Sequence, residues 1–106
     1  MEVDTEYAAK VAKLNDGFRD TGFGVTLTAG VQALEDIQGL MSRIRSYSDF
    51  NEDNDPWLEH DFGSLIWEGE KVFWKISYYD QKLEYGEDPL SLDCRRVLTV
   101  MLASEY

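Results

Sequence analysis

The stretch from Leu65 to Tyr79 reads LIWEGEKVFWKISYY, and it decides the expected fold. Two β-rich runs, Leu65–Trp67 and Val72–Tyr79, flank the glycine-containing turn Glu68–Lys71, which is the pattern of a β-hairpin. Alternate residues of the second run face opposite sides of a sheet, with Val72, Trp74, Ile76 and Tyr78 on one side and Phe73, Lys75, Ser77 and Tyr79 on the other. We therefore expect a hairpin with one core face and one amphipathic face.

Before the hairpin, the sequence predicts two helices separated by a strand. Asp4 is a good N-cap for a helix from about Thr5 to Leu14 or a little beyond, whose apolar face would hold Tyr7, Val11, Leu14 and Phe18. The turn-forming residues Asn15-Asp16-Gly17 are expected to end it. Residues 23–28 alternate apolar and small or hydroxyl side chains, as in a half-buried strand, and apolar spacing then predicts a second helix from about Glu35 to Tyr47.

A third helix is predicted near the C-terminus. Asp88-Pro89 or Ser91 can cap it, and its apolar stripe would consist of Cys94, Val97, Leu98, Met101 and Leu102. The predicted order is α-β-α-β-β-α. This is an α+β fold in which helices pack on one face of a three-stranded antiparallel sheet. The length of 106 residues predicts a single domain spanning residues 1–106.

The composition restricts the classes of partner. The chain has 21 acidic and 10 basic residues, a net charge of -11 that repels nucleic acid and anionic membranes and attracts basic partners. The same charge can serve solubility alone. Val97–Ala103 is too short to span a bilayer, and the acidic start Met1–Glu6 does not resemble a secretion signal, so we expect a cytoplasmic protein.

The residues that could carry out chemistry are concentrated in the loop that precedes the hairpin. A histidine beside carboxylates is typical of an acid/base pair or a metal site, so the catalytic candidates are His60 and Asp61, supported by Lys75. The structural alternative is that Asp55 and Asp61 cap turns while His60 bonds a backbone carbonyl. Cys94 is the only cysteine, which excludes an internal disulfide. Without a glycine-rich phosphate loop or Cys/His metal spacing, we predict no cofactor and no metal.

The same loop is strongly acidic. The run Asp49–Asp61 contains six acids and no Lys or Arg. Fully extended, the run covers about 40 Å and carries one charge per roughly 7 Å, whereas duplex DNA carries one charge per about 1.7 Å. To mimic DNA, the run would need other acidic residues of the chain on the same face. The candidate partner-binding residues are Asp49, Glu52, Asp53, Asp55, Glu59, Glu84, Glu87 and Asp88.

Four blocks of the sequence resemble the family catalogued as domain of unknown function 3768, small proteins of proteobacterial genomes, plasmids and phages. The resemblance brings no reaction or ligand with it. Its motif positions include Asn54, His60, Asp61, Lys75 and Tyr79, which implies one polar cluster. The blocks are Leu14-Asn15-Asp16 with Phe18-Arg19, Asn54-Asp55-Pro56 with residues 59–63, Trp74-Lys75-Ile76 with Tyr78-Tyr79-Asp80, and residues 96–103 with Glu105-Tyr106.

We therefore expect an acidic interaction protein that blocks a basic nucleic-acid-binding surface of a protein or nucleoprotein complex. The mobile-element setting that the resemblance implies suggests an inhibitor of a host defence complex, of the anti-CRISPR or anti-restriction type. The alternative is a small hydrolase or a ligand- or metal-binding domain centred on His60 and Asp61. A homodimeric accessory protein is a third interpretation, and direct binding to nucleic acid or membrane is not expected.

Overall fold

The structure, a computed structural model, describes residues 4–106 and has an α+β fold, as predicted. The first three residues of the acidic segment Met1–Glu6, which does not resemble a secretion signal, lie outside this range. Three helices precede the hairpin: α1 (Thr5–Thr21), α2 (Ala29–Gln32) and α3 (Ile37–Arg45). The strands are β1 (Val25–Leu27), β2 (Phe62–Trp67), β3 (Glu70–Tyr79) and β4 (Arg95–Leu102), followed by a short 3-10 helix, Ala103–Glu105.

The sheet has four strands in the order β1-β4-β3-β2. Strand β4 pairs parallel with β1 and antiparallel with β3, while β2 and β3 form the predicted hairpin. The hairpin turn is Glu68-Gly69, and both residues have positive φ, at 53° and 80°. Two successive positive φ values define a type I′ turn, whose twist matches that of the paired strands.

The prediction of a C-terminal helix is wrong, because Arg95–Leu102 is a strand. The sheet is consequently four-stranded and mixed rather than three-stranded and antiparallel. Strand β4 lies between two neighbours and is apolar on both faces: Leu98 and Val100 are buried on the helix side, and Met101 is buried on the other. A short run that is apolar on both sides satisfies helical spacing as well as strand alternation, so periodicity alone misassigned it.

Helix α1 continues through Asn15-Asp16-Gly17 to Thr21, so the prediction that these three residues end the helix is also wrong. Its buried residues are Ala8, Val11, Ala12, Asn15 and Arg19, whereas the predicted face included Leu14, which is 48% exposed. Tertiary contacts of Asn15 and Arg19 keep the helix going where local turn propensity favours an end. Two polar residues therefore lie on the buried side of the helix.

The helices cover one face of the sheet. Trp74 on β3 is fully buried at the centre of that face, with edge-to-face contacts to Tyr47 and Phe50 at centroid distances of 5.3 and 6.1 Å. The rest of this core comes from α2, α3 and three strands: Val31, Leu40, Ile44, Leu65, Val72, Ile76, Leu98 and Val100. Within residues 4–106, no helix is both long and apolar enough to cross a membrane.

Two glycines test this packing. A Cβ on Gly63 would lie 2.6 Å from Cε2 of the buried Trp74 ring, so Gly63→Ala is expected to lower the free energy of unfolding by about 1–3 kcal/mol. A Cβ on Gly17, in the middle of α1, meets nothing within 4 Å, so Gly17→Ala is expected to raise that free energy by about 0.5–1 kcal/mol. Urea denaturation measures both changes, and equal effects would contradict the packing at Gly63.

Candidate functional site

The side-chain amide of Asn15 is the centre of a buried polar network. Its Nδ2 donates to the carbonyl oxygen of Glu59 at 2.9 Å and to the hydroxyl oxygen of Tyr78 at 2.8 Å. Its Oδ1 accepts from Nε of Arg96 at 2.7 Å. One buried amide thus connects α1 to the loop before β2, to β3 and to β4.

Arg96 extends this network toward the loop between β3 and β4. Its Nη2 donates to the carbonyl oxygen of Pro89 at 2.7 Å, and its guanidinium carbon lies 5.3 Å from the centroid of the Tyr78 ring. Tyr78 is partly buried, and this burial raises the pKa of its hydroxyl above the ordinary value. Tyr78 is therefore a neutral hydrogen-bonding group here and not a phenolate.

Arg19 is a second arginine next to this network, and its side chain is buried. Its Nη2 donates to the carbonyl oxygen of Tyr47 at 2.9 Å, and its Nη1 lies 3.2 Å from Oδ1 of Asp16. The guanidinium also lies over two aromatic rings, 5.0 Å from the centroid of Trp74 and 5.3 Å from that of Phe50. These contacts connect the polar network to the aromatic core, and cation-π attraction adds to the ion pair.

His60 lies between two carboxylates. Its Nδ1 is 2.9 Å from Oδ1 of Asp16, and its Nε2 is 3.5 Å from Oδ2 of Asp55. The imidazole stacks on the Phe50 ring with a centroid distance of 3.9 Å and an interplanar angle of 1°. Both ring nitrogens therefore face a carboxylate of the protein itself, although only Nδ1 is within hydrogen-bond distance.

Asp55 builds the turn that presents His60. It is 3% exposed, and its Oδ1 accepts from the backbone N–H groups of Glu59 and His60 at 3.1 and 3.0 Å. Leu58 and His60 have positive φ, at 60° and 56°, which costs energy for residues other than glycine. The two backbone bonds to a buried carboxylate offset that cost. The turn-capping role considered for Asp55 is therefore confirmed, whereas its assignment to an exposed acidic surface is wrong.

Asp61 is adjacent in sequence to His60 but has different partners. Its Oδ2 is 3.5 Å from the Tyr78 hydroxyl, and its carbonyl oxygen accepts from the N–H of Ile76 at 2.8 Å. Burial, and secondarily the negative charge of Asp55, raises the pKa of the Asp61 carboxyl above its ordinary value. The structure therefore does not form the predicted His60–Asp61 pair.

Lys75 is exposed, and its side chain is on the face of the sheet opposite the helices, together with Tyr79. Asn54 lies in neither of these two places. Its Nδ2 donates to the carbonyl oxygen of Asp49 at 2.9 Å, within the loop before β2. The motif positions expected to form one cluster thus belong to several sites. The residues that do converge are Asn15, Asp16, Arg19, Asp55, His60, Tyr78 and Arg96. Polar side chains at a helical spacing of four in α1 were the signal for Asn15 and Arg19.

The eight candidate partner-binding residues differ in their exposure. Of the eight candidate residues, Asp49, Glu52, Asp53, Glu84 and Asp88 are exposed, Glu59 and Glu87 are partly exposed, and Asp55 alone is buried. The two acidic segments approach each other at Tyr7, whose hydroxyl donates to Asp88 at 3.3 Å. Burial and the charges of Asp88 and Glu59 raise the pKa of Tyr7. Glu59, from one segment, and Asp88, from the other, therefore contribute to the same negative region.

Groups of three or more His, Cys, Asp or Glu side chains placed to hold a metal ion do not occur among residues 4–106. In comparisons with known proteins, the family model described as "Protein of unknown function (DUF3768)" matches residues 27–105. The match begins after α1 and so leaves out Asn15, Asp16 and Arg19. No curated protein and no solved structure gives a match.

Replacing the central amide tests its structural role. Asn15→Leu would leave the Arg96 guanidinium, the Tyr78 hydroxyl and the Glu59 carbonyl without their shared partner, so we expect a loss of about 2–4 kcal/mol in the free energy of unfolding. Leu14→Ala, at the neighbouring half-exposed position, is the control and should cost much less. Urea denaturation with both variants measures the difference, and a near-neutral Asn15→Leu would contradict the network.

The raised pKa of Asp61 predicts a pH-dependent effect of Asp61→Asn. The folded chain binds the proton of the Asp61 carboxyl more tightly than the unfolded chain does. Ionisation of this carboxyl at neutral pH therefore lowers the free energy of unfolding. This effect disappears below the ordinary pKa of 3.8, where the carboxyl is protonated in both states. We expect Asp61→Asn to raise the melting temperature at pH 7 and the increase to vanish toward pH 3.5. Thermal melts between pH 3.5 and 7 test this, and a constant or inverted difference would contradict it.

Proposed function

We propose that this chain, which belongs to the family of proteins of unknown function DUF3768, is an acidic interaction protein that occupies a basic nucleic-acid-binding surface of a protein or nucleoprotein partner. Electrostatic competition is the mechanism. Exposed carboxylates attract the basic surface, and they repel the nucleic acid that would otherwise bind there.

The observation that carries this proposal is the uncompensated charge of the acidic surface. Among residues 4–106, the salt bridges connect Asp16 to Arg19 and His60, and Asp55 to His60. The seven exposed or partly exposed acids of the surface take part in none of them. Within residues 4–106, no basic side chain therefore neutralises their charge.

Burial of charged side chains does not offset this imbalance. Arg19 and Asp55 are both buried, one of each sign, so the exposed surface keeps the excess of acids that the composition indicates. This favours a partner with clustered Lys and Arg over an uncharged one.

The class of partner that we propose is a host defence complex that binds nucleic acid, so that the protein acts in the manner of an anti-CRISPR or anti-restriction protein. This step rests on the plasmid and phage setting that the family resemblance implies. The enzymatic alternative has weaker geometric support, because both His60 nitrogens face carboxylates and Lys75 lies on the other face of the sheet. Cytoplasmic location follows from the proposed partner.

A charge-matched pair of variants tests the proposal. The surface variant combines Asp49→Asn, Glu52→Gln, Asp53→Asn and Glu84→Gln. The control variant combines Glu6→Gln, Asp20→Asn, Glu35→Gln and Glu70→Gln. All eight residues are exposed, so both variants remove four negative charges from the net of -11 at little expected cost to folding. In pull-downs from the native host, we expect the surface variant alone to lose its nucleic-acid-binding partner, by about tenfold or more.

Salt and nucleic acid provide the second readout. Raising the salt concentration to about 1 M shortens the screening length to about 3 Å and should release the partner from the unmodified protein. Added duplex DNA should displace it at low salt. Capture that is insensitive to salt, or lost equally with both variants, would overturn the proposal. Light scattering on the purified protein separately tests for a homodimer.

A further inference from the structure

A concave pocket of about 470 Å³ lies beside the start of β4. Apolar side chains from α1 and from the segment before β1 form one part of its wall, and the first residues of β4 form another. The lining residues used below are Leu14, Phe18, Phe23, Cys94, Arg95 and Arg96. Its volume lies within the range of pockets that hold small molecules. None of the acids of the proposed acidic surface lines it, although Glu87 and Asp88 lie nearby.

The charges at this pocket are unusual for such an acidic protein. Arg96 is partly buried, yet none of the carboxylates in residues 4–106 forms a salt bridge with it. Its Nε and Nη2 bond neutral oxygens, and its Nη1 has only the sulfur of Cys94, another lining residue, at 3.7 Å. A partly desolvated cation without an anionic partner favours the binding of an anion.

Arg95 is a second cation among the lining residues. It is exposed, and within residues 4–106 its one side-chain hydrogen bond is a long one of 3.4 Å from Nη1 to the carbonyl oxygen of Gln81. Carboxylate partners for Arg95 are likewise missing from the part of the chain that the structure describes. A guanidinium without a carboxylate partner presents several N–H donors, which suits the geometry of a carboxylate ligand.

The other wall of the pocket is apolar and open to solvent. Phe23 is 91% exposed and Leu14 is 48% exposed. An aromatic ring that remains in water has its apolar surface available to a ligand, because folding has not buried it. The pocket therefore combines an apolar wall with an adjacent cationic wall.

Nearby acids restrict how much negative charge a ligand can carry. Glu87 and Asp88 lie close enough to Cys94 that their charges, after burial, raise the pKa of its thiol. A polyanion such as nucleic acid would meet these carboxylates, whereas a ligand with one negative charge can pair with an arginine and leave its apolar part on Phe23. The local charges thus favour a monoanion.

We propose that this pocket binds a monocarboxylate whose carboxyl group is attached to an apolar or aromatic group. The carboxylate pairs with Arg95 beside Arg96, and the apolar group packs against Phe23 and Leu14. Two sources share this chemistry: a small organic acid, and the C-terminal residue of a peptide chain that ends in an aromatic side chain.

The test is an NMR titration of the ¹⁵N-labelled full chain with phenylacetate at neutral pH, with the uncharged phenylacetamide as the matched control. We expect saturable shifts of the backbone amides of Phe23, Gly24, Cys94 and Arg95 with phenylacetate, and binding at least about tenfold weaker with phenylacetamide, because the charge-assisted hydrogen bond is lost. Phenylacetate should also slow alkylation of the Cys94 thiol. Equal binding of the two compounds, or no saturable shifts, would overturn the proposal.

Arginine variants test which positive charge binds the carboxylate, and peptides test whether the natural ligand is a small acid or a peptide C-terminus. Arg95→Gln should weaken phenylacetate binding by about tenfold, whereas Arg43→Gln, an exposed arginine on α3, should leave it unchanged. Equal affinities for the two variants would contradict the role of Arg95. Acetyl-Ala-Phe with a free C-terminus, compared with its C-terminal amide, distinguishes the sources. Tighter binding of the free peptide than of phenylacetate identifies a peptide terminus, and the reverse order identifies a small acid.

Discussion

The buried amide of Asn15 is the interaction on which the other polar contacts depend. All of its hydrogen-bonding groups are used, two donated and one accepted, and each goes to a different part of the chain. A buried amide with unmet hydrogen bonds would destabilise the fold, so α1, the loop at Glu59, β3 and β4 must adopt positions that satisfy it together. This requirement explains why α1 continues past Leu14. It also explains why the loop holds His60 and Asp55 next to that helix.

The network also fixes two of the ten basic side chains. Arg19 is buried and bonds the carbonyl oxygen of Tyr47, whereas Arg96 is partly buried, bonds Asn15 and Pro89, and lines the pocket at the start of β4. Most of the acids remain at the surface. The two proposals therefore use side chains of opposite charge in the same protein.

The hairpin and the strand before α2 were predictable because their signals are local. Glu68-Gly69 and the alternation along β3 define the turn and the two faces within a few residues. The C-terminal strand was not predictable in this way. Strand β4 has apolar residues on both faces because it lies between β1 and β3. That position depends on parallel pairing with β1, a strand about 70 residues earlier in the chain. The four-stranded mixed sheet is therefore a long-range result.

By itself, the sequence determined the α+β class, the hairpin, the family resemblance and the strongly acidic surface, because composition, turn residues and alternation are properties of neighbouring residues. Only the tertiary structure decided which polar residues meet. It placed Asp16 and Asp55, rather than Asp61, beside His60, and it buried Asp55. The physical reason is that these contacts join residues that are distant in sequence. Their partners are chosen by the need to satisfy buried polar groups, a condition that local patterns do not record.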